Sequence, residues 1–187
     1  MEKDETSTTV SRPELLLNGS DVAFRQMLND FFAFSRSLES ARARFAASVG
    51  LSSTQYLIVI TIARHGRTEG FGVNKIAETL HLSGSFVTNE INKLVAASFV
   101  RKVADATDRR RVQLCVTKHG KRQLAKLAAF QRPVNDVLFE TLTAKQFEQF
   151  RGVLAALVES GDRGVRLAVS MQNLFAVGMP APVMAVP

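Results

Sequence analysis

The side chains that invite a chemical reading cluster in one stretch. Asp108, Arg109, Arg110 and Arg111 follow one another directly. Three guanidinium groups on a short turn make an anion-binding surface, because each carries a permanent charge and a rigid fork of donors. Asp108 is placed to orient one of them through a charge-assisted bond. From Arg101 to Arg122, eight Lys or Arg stand against only Asp105 and Asp108, whereas the first thirty residues hold six acids and three bases. Nearly all of the net charge of +7 therefore sits in one segment. Such asymmetry marks a surface dedicated to a polyanion.

Other chemistries find less support. His65, His81 and His119 are isolated, no metal-ligand spacing occurs, and no nucleophile has a recognisable base partner, so neither an enzyme nor a bound cofactor or metal is expected. The single cysteine, Cys115, excludes an internal disulfide and a cysteine-rich zinc site, and it fits a reducing compartment. Basic neighbours can lower a thiol pKa, which makes a redox sensor an alternative function, although a small packed residue on a strand is the simpler reading of Cys115. The glycines between Gly66 and Gly72 match neither a phosphate-binding loop nor a dinucleotide fingerprint.

The arginines need a scaffold, and the flanking pattern supplies one. FVRKVADATDRRRVQLCV reads as strand, charged loop and strand, with Val112, Leu114 and Val116 alternating against Arg111, Gln113 and Cys115. Ahead of it, VNKIAETLHL and SGSFVTNEINKLVAASF read as two short amphipathic helices joined by a tight turn at His81 to Gly84. Val73, Ile76, Ala77 and Leu80 face inward on the first, and Val87, Ile91 and Leu94 on the second. The second helix then presents Ser85, Phe86, Thr88, Asn89, Asn92 and Lys93 outward, with Ser83 at its start. Hydroxyls and amides there can bond base edges or phosphates, Lys93 can neutralise a phosphate, and Phe86 can touch a thymine methyl.

Longer helices flank this lobe. From Asp21, Phe24, Met27, Phe31, Phe34 and Leu38 recur at alternating spacings of three and four, widened by Leu28 and Phe32, more apolar surface than a small domain covers by itself. Gly50 ends that helix, and Ser52 with Gln55 forms a capping box for a second, apolar one from about Ser53 to Arg64. A helix from about Thr117 towards Thr141 contains Pro133, which should bend or split it. Thr143 with Gln146 then opens a helix whose Phe147, Phe150, Leu154 and Leu157 form a second seam. Both seams predict a homodimer. The fold class expected is mainly α with a small β wing, a winged helix-turn-helix flanked by N- and C-terminal dimerisation helices. The expected organisation is a loosely ordered arm over 1–20, one domain over 21–162 with its DNA-binding lobe at about 51–120, and an apolar extension over 163–187. No stretch reads as a membrane span or signal peptide, so a cytoplasmic protein without a membrane partner is expected.

From Val73 to Gly120 the sequence resembles the winged helix-turn-helix of the MarR family of transcriptional regulators. The resemblance rests on the Asp-x-Arg of the wing, here Asp108-Arg109-Arg110, and on a Thr-x-x-Gly opening the next helix, here Thr117 to Gly120. It implies that Arg110 enters a DNA minor groove while Asp108 holds it, and that Ser85, Thr88 and Asn89 act on the recognition helix of a double-stranded DNA-binding regulator, commonly a repressor. It also implies a pocket for a small aromatic or phenolic effector between the dimer helices and the DNA-reading lobe, on segments that carry Arg36, Arg44, Tyr56 and His65. The sequence departs from the family in Ser98, where a glycine is usual, in Phe86, where a small polar residue is usual, and in its longer glycine-rich loop. Because fold does not dictate function, a winged-helix protein-interaction module is the other alternative.

Overall fold

The computed structural model describes residues 8–65, 72–104 and 112–176. Among them run α1 (Val22–Ser48), α2 (Ser53–His65), α3 (Val73–Leu80), α4 (Gly84–Ala96), β1 (Val100–Ala104), β2 (Val112–Val116), α5 (Lys118–Leu138) and α6 (Ala144–Ala176). The fold is thus mainly helical with one antiparallel β-ribbon, the architecture expected. The chain divides into two units, Met1–Leu138 and Phe139–Pro187.

In the first unit residues 8–20, ahead of α1, are tied to its start. Thr9 donates its backbone N–H and its hydroxyl to Oδ2 of Asp21, each at 2.7 Å. Leu17 and Ser20 pair their backbones, and a short 3-10 turn spans Pro13–Leu15. Asp21 is buried and stands at the N-cap of α1, yet its side chain makes no cap bond because Thr9 occupies it. The amide of Thr9, then its hydroxyl, and the nearby Arg25 guanidinium hold the Asp21 carboxyl below its ordinary pKa of 3.8.

Helix α1 ends where Gly50 adopts a left-handed φ of +72°, with Leu51 N–H returning to the carbonyl of Ala46. The capping box of α2 forms as read: Ser52 N–H donates to Gln55 Oε1 and Gln55 N–H donates to Ser52 Oγ, both at 3.1 Å. One core follows from the apolar spacing. Ile58, Val59 and Ile62 of α2 meet Ile76 of α3, Val87, Ile91 and Leu94 of α4, and Val100 and Leu114 of the ribbon, all of them essentially inaccessible to water. Phe45 closes one side and stacks edge-on against Phe130 of α5 at 5.4 Å between ring centroids.

Helix α5 starts with Thr117, whose Oγ1 accepts the Gly120 N–H at 3.0 Å. A side chain at Gly120 would meet the Phe99 carbonyl oxygen at 2.6 Å and Val116 Cγ1 at 2.8 Å, so only glycine lets the helix approach the ribbon this closely. Pro133 does not split α5, which runs on to Leu138. The fixed φ of proline suits a helix, and its cost falls on the bond to the carbonyl four residues back.

The second unit holds α6, opened by the expected box in which Thr143 N–H donates to Gln146 Oε1 at 2.9 Å and Gln146 N–H to Thr143 Oγ1 at 3.3 Å. This helix continues through 162 and 163 without a break, so the extension read from residue 163 begins as a continuation of α6, and residues 177–187 lie outside the described part. Phe147, Phe150, Leu154 and Leu157 are exposed along it. On α1, Met27, Phe31 and Phe32 are exposed while Phe24, Phe34 and Leu38 are partly covered. Among the described residues no single helix is long and apolar enough to cross a membrane.

Candidate nucleic-acid interface

Helices α3 and α4 pack through the residues that the periodicity turned inward, with Ile76, Ala77, Val87, Ile91 and Leu94 buried. The turn between them depends on His81, whose φ of +52° ends α3 in the left-handed region. Ser83 then caps α4, its Oγ accepting the Phe86 N–H at 3.3 Å. The sequence placed Ser83 among DNA contacts, and its hydroxyl already serves this cap.

Ser85, Phe86, Thr88, Asn89, Asn92 and Lys93 are all exposed, so α4 presents one continuous polar face with a single aromatic at its start. The structure adds which polar atoms are engaged. The Thr88 hydroxyl donates to the Gly84 carbonyl at 2.8 Å, which leaves only its lone pairs for a ligand. Lys93 Nζ meets Glu90 Oε1 at 2.7 Å, and Glu90 Oε2 accepts from Gln55 Nε2 at 2.9 Å. Glu90 is buried; the lysine bond, with the Gln55 bond helping, holds its carboxyl below the usual value of 4.5 against the opposing effect of burial. Asn92 Oδ1 accepts from Lys102 Nζ of β1 at 2.8 Å, a direct tie between the second helix and the wing.

Sequence reasoning passed over Glu90 and Lys102, and named Gln55 only as a cap partner of Ser52. A signal for Glu90 was available, since it follows Val87 by three positions and adjoins Ile91 on the apolar side of α4. Nothing local marks Lys102, because its partner lies ten positions earlier on another element.

The ribbon pairs Val100 with Val116 and continues in register to Ala104 with Val112. Leu114 and Val116 are buried as the alternation required, but Val112 at the far end of the ladder is 44% exposed, beyond the cover of the helices. Cys115 is partly buried, opposite Arg101. Asp108, Arg109, Arg110 and Arg111 lie outside the described residues, as do 66–71 of the glycine-rich loop. Ser98 keeps the left-handed turn usual for glycine, with φ of +60°, and its carbonyl accepts the Thr117 hydroxyl.

A cavity of about 530 Å³ is lined by Ser35, Leu38, Glu39, Arg42 and Phe45 of α1, Tyr56 of α2, and Gln131 and Asn135 of α5. Of the four pocket candidates only Tyr56 lines it. Arg36 and Arg44 are exposed on a different face of α1, since at 100° per residue they point well away from Arg42. His65 stands at the far end of α2 and is not part of the lining. Gln131 Nε2 donates to the Tyr56 hydroxyl at 2.6 Å. Burial pushes the Tyr56 pKa above 10.0, opposed by that bond and by Arg42. Arg42 pairs with Glu39 at 3.2 Å, while its Nε is buried without a partner among the described residues. No cluster of His, Cys, Asp or Glu suited to a metal ion occurs among the described residues.

Comparison with known proteins agrees with this geometry. Residues 49–111 match the model of the MarR family. The chain is 25% identical over 129 residues to an uncharacterized HTH-type transcriptional regulator, YwhA of Bacillus subtilis, covering 68% of this chain and 91% of that protein. Its fold resembles a MarR transcriptional regulator from Methanosarcina mazei, with a TM-score of 0.59 at 19% identity over 74% of this chain and 98% of that one. It also resembles S. aureus MepR in its DNA complex, with a TM-score of 0.56 at 18% identity over 80% and 99%. The family model thus spans the helix-turn-helix and Asp108 to Arg110 of the wing, and the solved structures share the fold.

Proposed function

We propose that this winged helix-turn-helix chain is a regulator of the MarR type, one that binds double-stranded DNA sequence-specifically as a homodimer and responds to a small ligand. The observation that carries the reading is the exposed polar face of α4, set beside a wing whose sequence concentrates the positive charge of the chain. Backbone contacts from Lys and Arg would supply affinity and α4 would supply sequence readout. The exposed apolar residues of α1 and α6 suit burial against a second copy. A two-fold dimer would present two recognition helices about 34 Å apart, which calls for an inverted-repeat operator. Repression is the mode we assign. The cavity beside Tyr56 has the size of a small-molecule site and combines aromatic walls with the polar groups of Tyr56, Gln131 and Asn135, which suits a small aromatic or phenolic ligand. Such a ligand would act by favouring a dimer geometry in which the two α4 helices no longer match the groove spacing.

Titrating the protein into DNA from upstream of its own gene, with scrambled duplex as competitor at several salt concentrations, tests the proposal. Saturable binding that resists the competitor supports it. Absence of DNA binding at any salt concentration, there and in a selection from random duplexes, overturns it in favour of a protein-interaction module.

A further inference from the structure

We propose that Lys102 turns Asn92 into a donor-only reader, so that the Asn92 position of α4 selects guanine and rejects adenine. The inference rests on the reading of α4 as the DNA-reading helix and adds a base preference to it. Lys102 Nζ lies 2.8 Å from Asn92 Oδ1, and both side chains are exposed beside the α4 face. An ammonium group has donors and no acceptor, so it must face the amide oxygen, and the NH₂ of Asn92 is what remains for a ligand.

Adenine recognition by asparagine uses both ends of the amide, the oxygen accepting from the N6 amino group while the NH₂ donates to N7. Here the lysine occupies the oxygen, and its positive charge stands where the amino hydrogens of adenine would arrive. Guanine instead offers two adjacent acceptors, O6 and N7, in the major groove. The Asn92 NH₂ and the remaining N–H groups of Lys102 form a matching pair of donors. Asn89 provides the internal contrast. It lies on the same face of α4, three residues before Asn92, and makes no side-chain bond among the described residues, so both ends of its amide stay usable. The position of Lys102 is set by β1, whose Val100 is buried and whose pairing places Lys102 opposite Leu114.

The test is selection from a randomised duplex library by the wild-type protein and by Asn92→Ala, Lys102→Met and Lys102→Arg. The wild-type protein should enrich guanine at one position in each half-site, and Asn92→Ala should lose that preference. Lys102→Met, which keeps the aliphatic stem, should move the guanine-to-adenine ratio at that position about tenfold or more towards adenine. Lys102→Arg, also donor-only, should retain guanine. The inference is overturned if Lys102→Met weakens all sequences alike, with base preferences intact and a salt slope lowered by about one, because that is the signature of a phosphate contact. It is also overturned if Asn92→Ala leaves every preference unchanged. Failure of the wild-type protein to enrich any sequence would instead remove the DNA-reading assignment of α4 itself, and this inference with it.

Discussion

Gln55 and Glu90, thirty-five positions apart, meet through one bond of 2.9 Å, while the same glutamine amide closes the capping box of α2 through its oxygen. One side chain thus fixes the start of a core helix and the middle of the candidate recognition helix. Gln55→Ala should cost about 1–3 kcal/mol, since it removes a cap partner and leaves a buried carboxylate with less support. Gln55→Glu should be more harmful at pH 7 than near pH 4, because it sets a second carboxylate against Glu90. Urea denaturation at the two pH values checks both; equal losses for Gln55→Glu would count against the contact.

Gly120→Ala should destabilise the lobe by about 1–3 kcal/mol despite the better helix propensity of alanine, because the added carbon meets the Phe99 carbonyl and Val116 inside normal contact distance. Thermal unfolding reads this directly, and an unchanged melting temperature would show that β1 and α5 can separate without cost.

Ser98→Gly should raise stability by roughly 0.5–1 kcal/mol, as relief of the left-handed backbone outweighs the extra freedom of glycine in the unfolded chain. Ser98→Val should lower it. The two variants form a matched pair in one denaturation series, and the same sign for both would contradict the account.

Arg110→Ala should weaken DNA binding and make the dependence of log affinity on log salt shallower by about one ion. Titrations across a salt series measure both quantities, and an unchanged slope would remove the wing from the interface.

Asp21 binds the arm as a carboxylate, with a folded pKa below its ordinary 3.8. Its contribution is complete above the unfolded value and disappears as pH falls through the folded one. Limited proteolysis or amide exchange at Thr9 should therefore show the arm held at neutral pH and released only below about 3.8. Asp21→Ala should release it at every pH.

Much of the lobe was legible because its signals are local. The apolar periodicity placed Ile76, Val87, Ile91 and Leu94, and the two capping boxes showed where α2 and α6 begin. What escaped depends on partners distant in sequence. Thr9 and Asp21, Gln55 and Glu90, and Asn92 and Lys102 look ordinary until the chain brings them together. Pro133 leaves α5 unsplit for a related reason: proline weakens a helix locally, but packing such as that of Leu127 and Phe130 along α5 outweighs one missing bond. Arg36 and Arg44 share a helix with the cavity lining, but helix phase sets Arg42 rather than either of them in that lining.

The bond from Gln131 to Tyr56 closes a span of 75 positions, far longer than the neighbour pairings of α3 with α4 or β1 with β2. In kinetic terms, short loops close early and long ones late, so α5 should dock after the helix-turn-helix and ribbon have formed. Tyr56→Phe should then leave the folding rate nearly unchanged and accelerate unfolding. The wall of the cavity would set how long the folded lobe persists, and a ligand bound against that wall would prolong its lifetime.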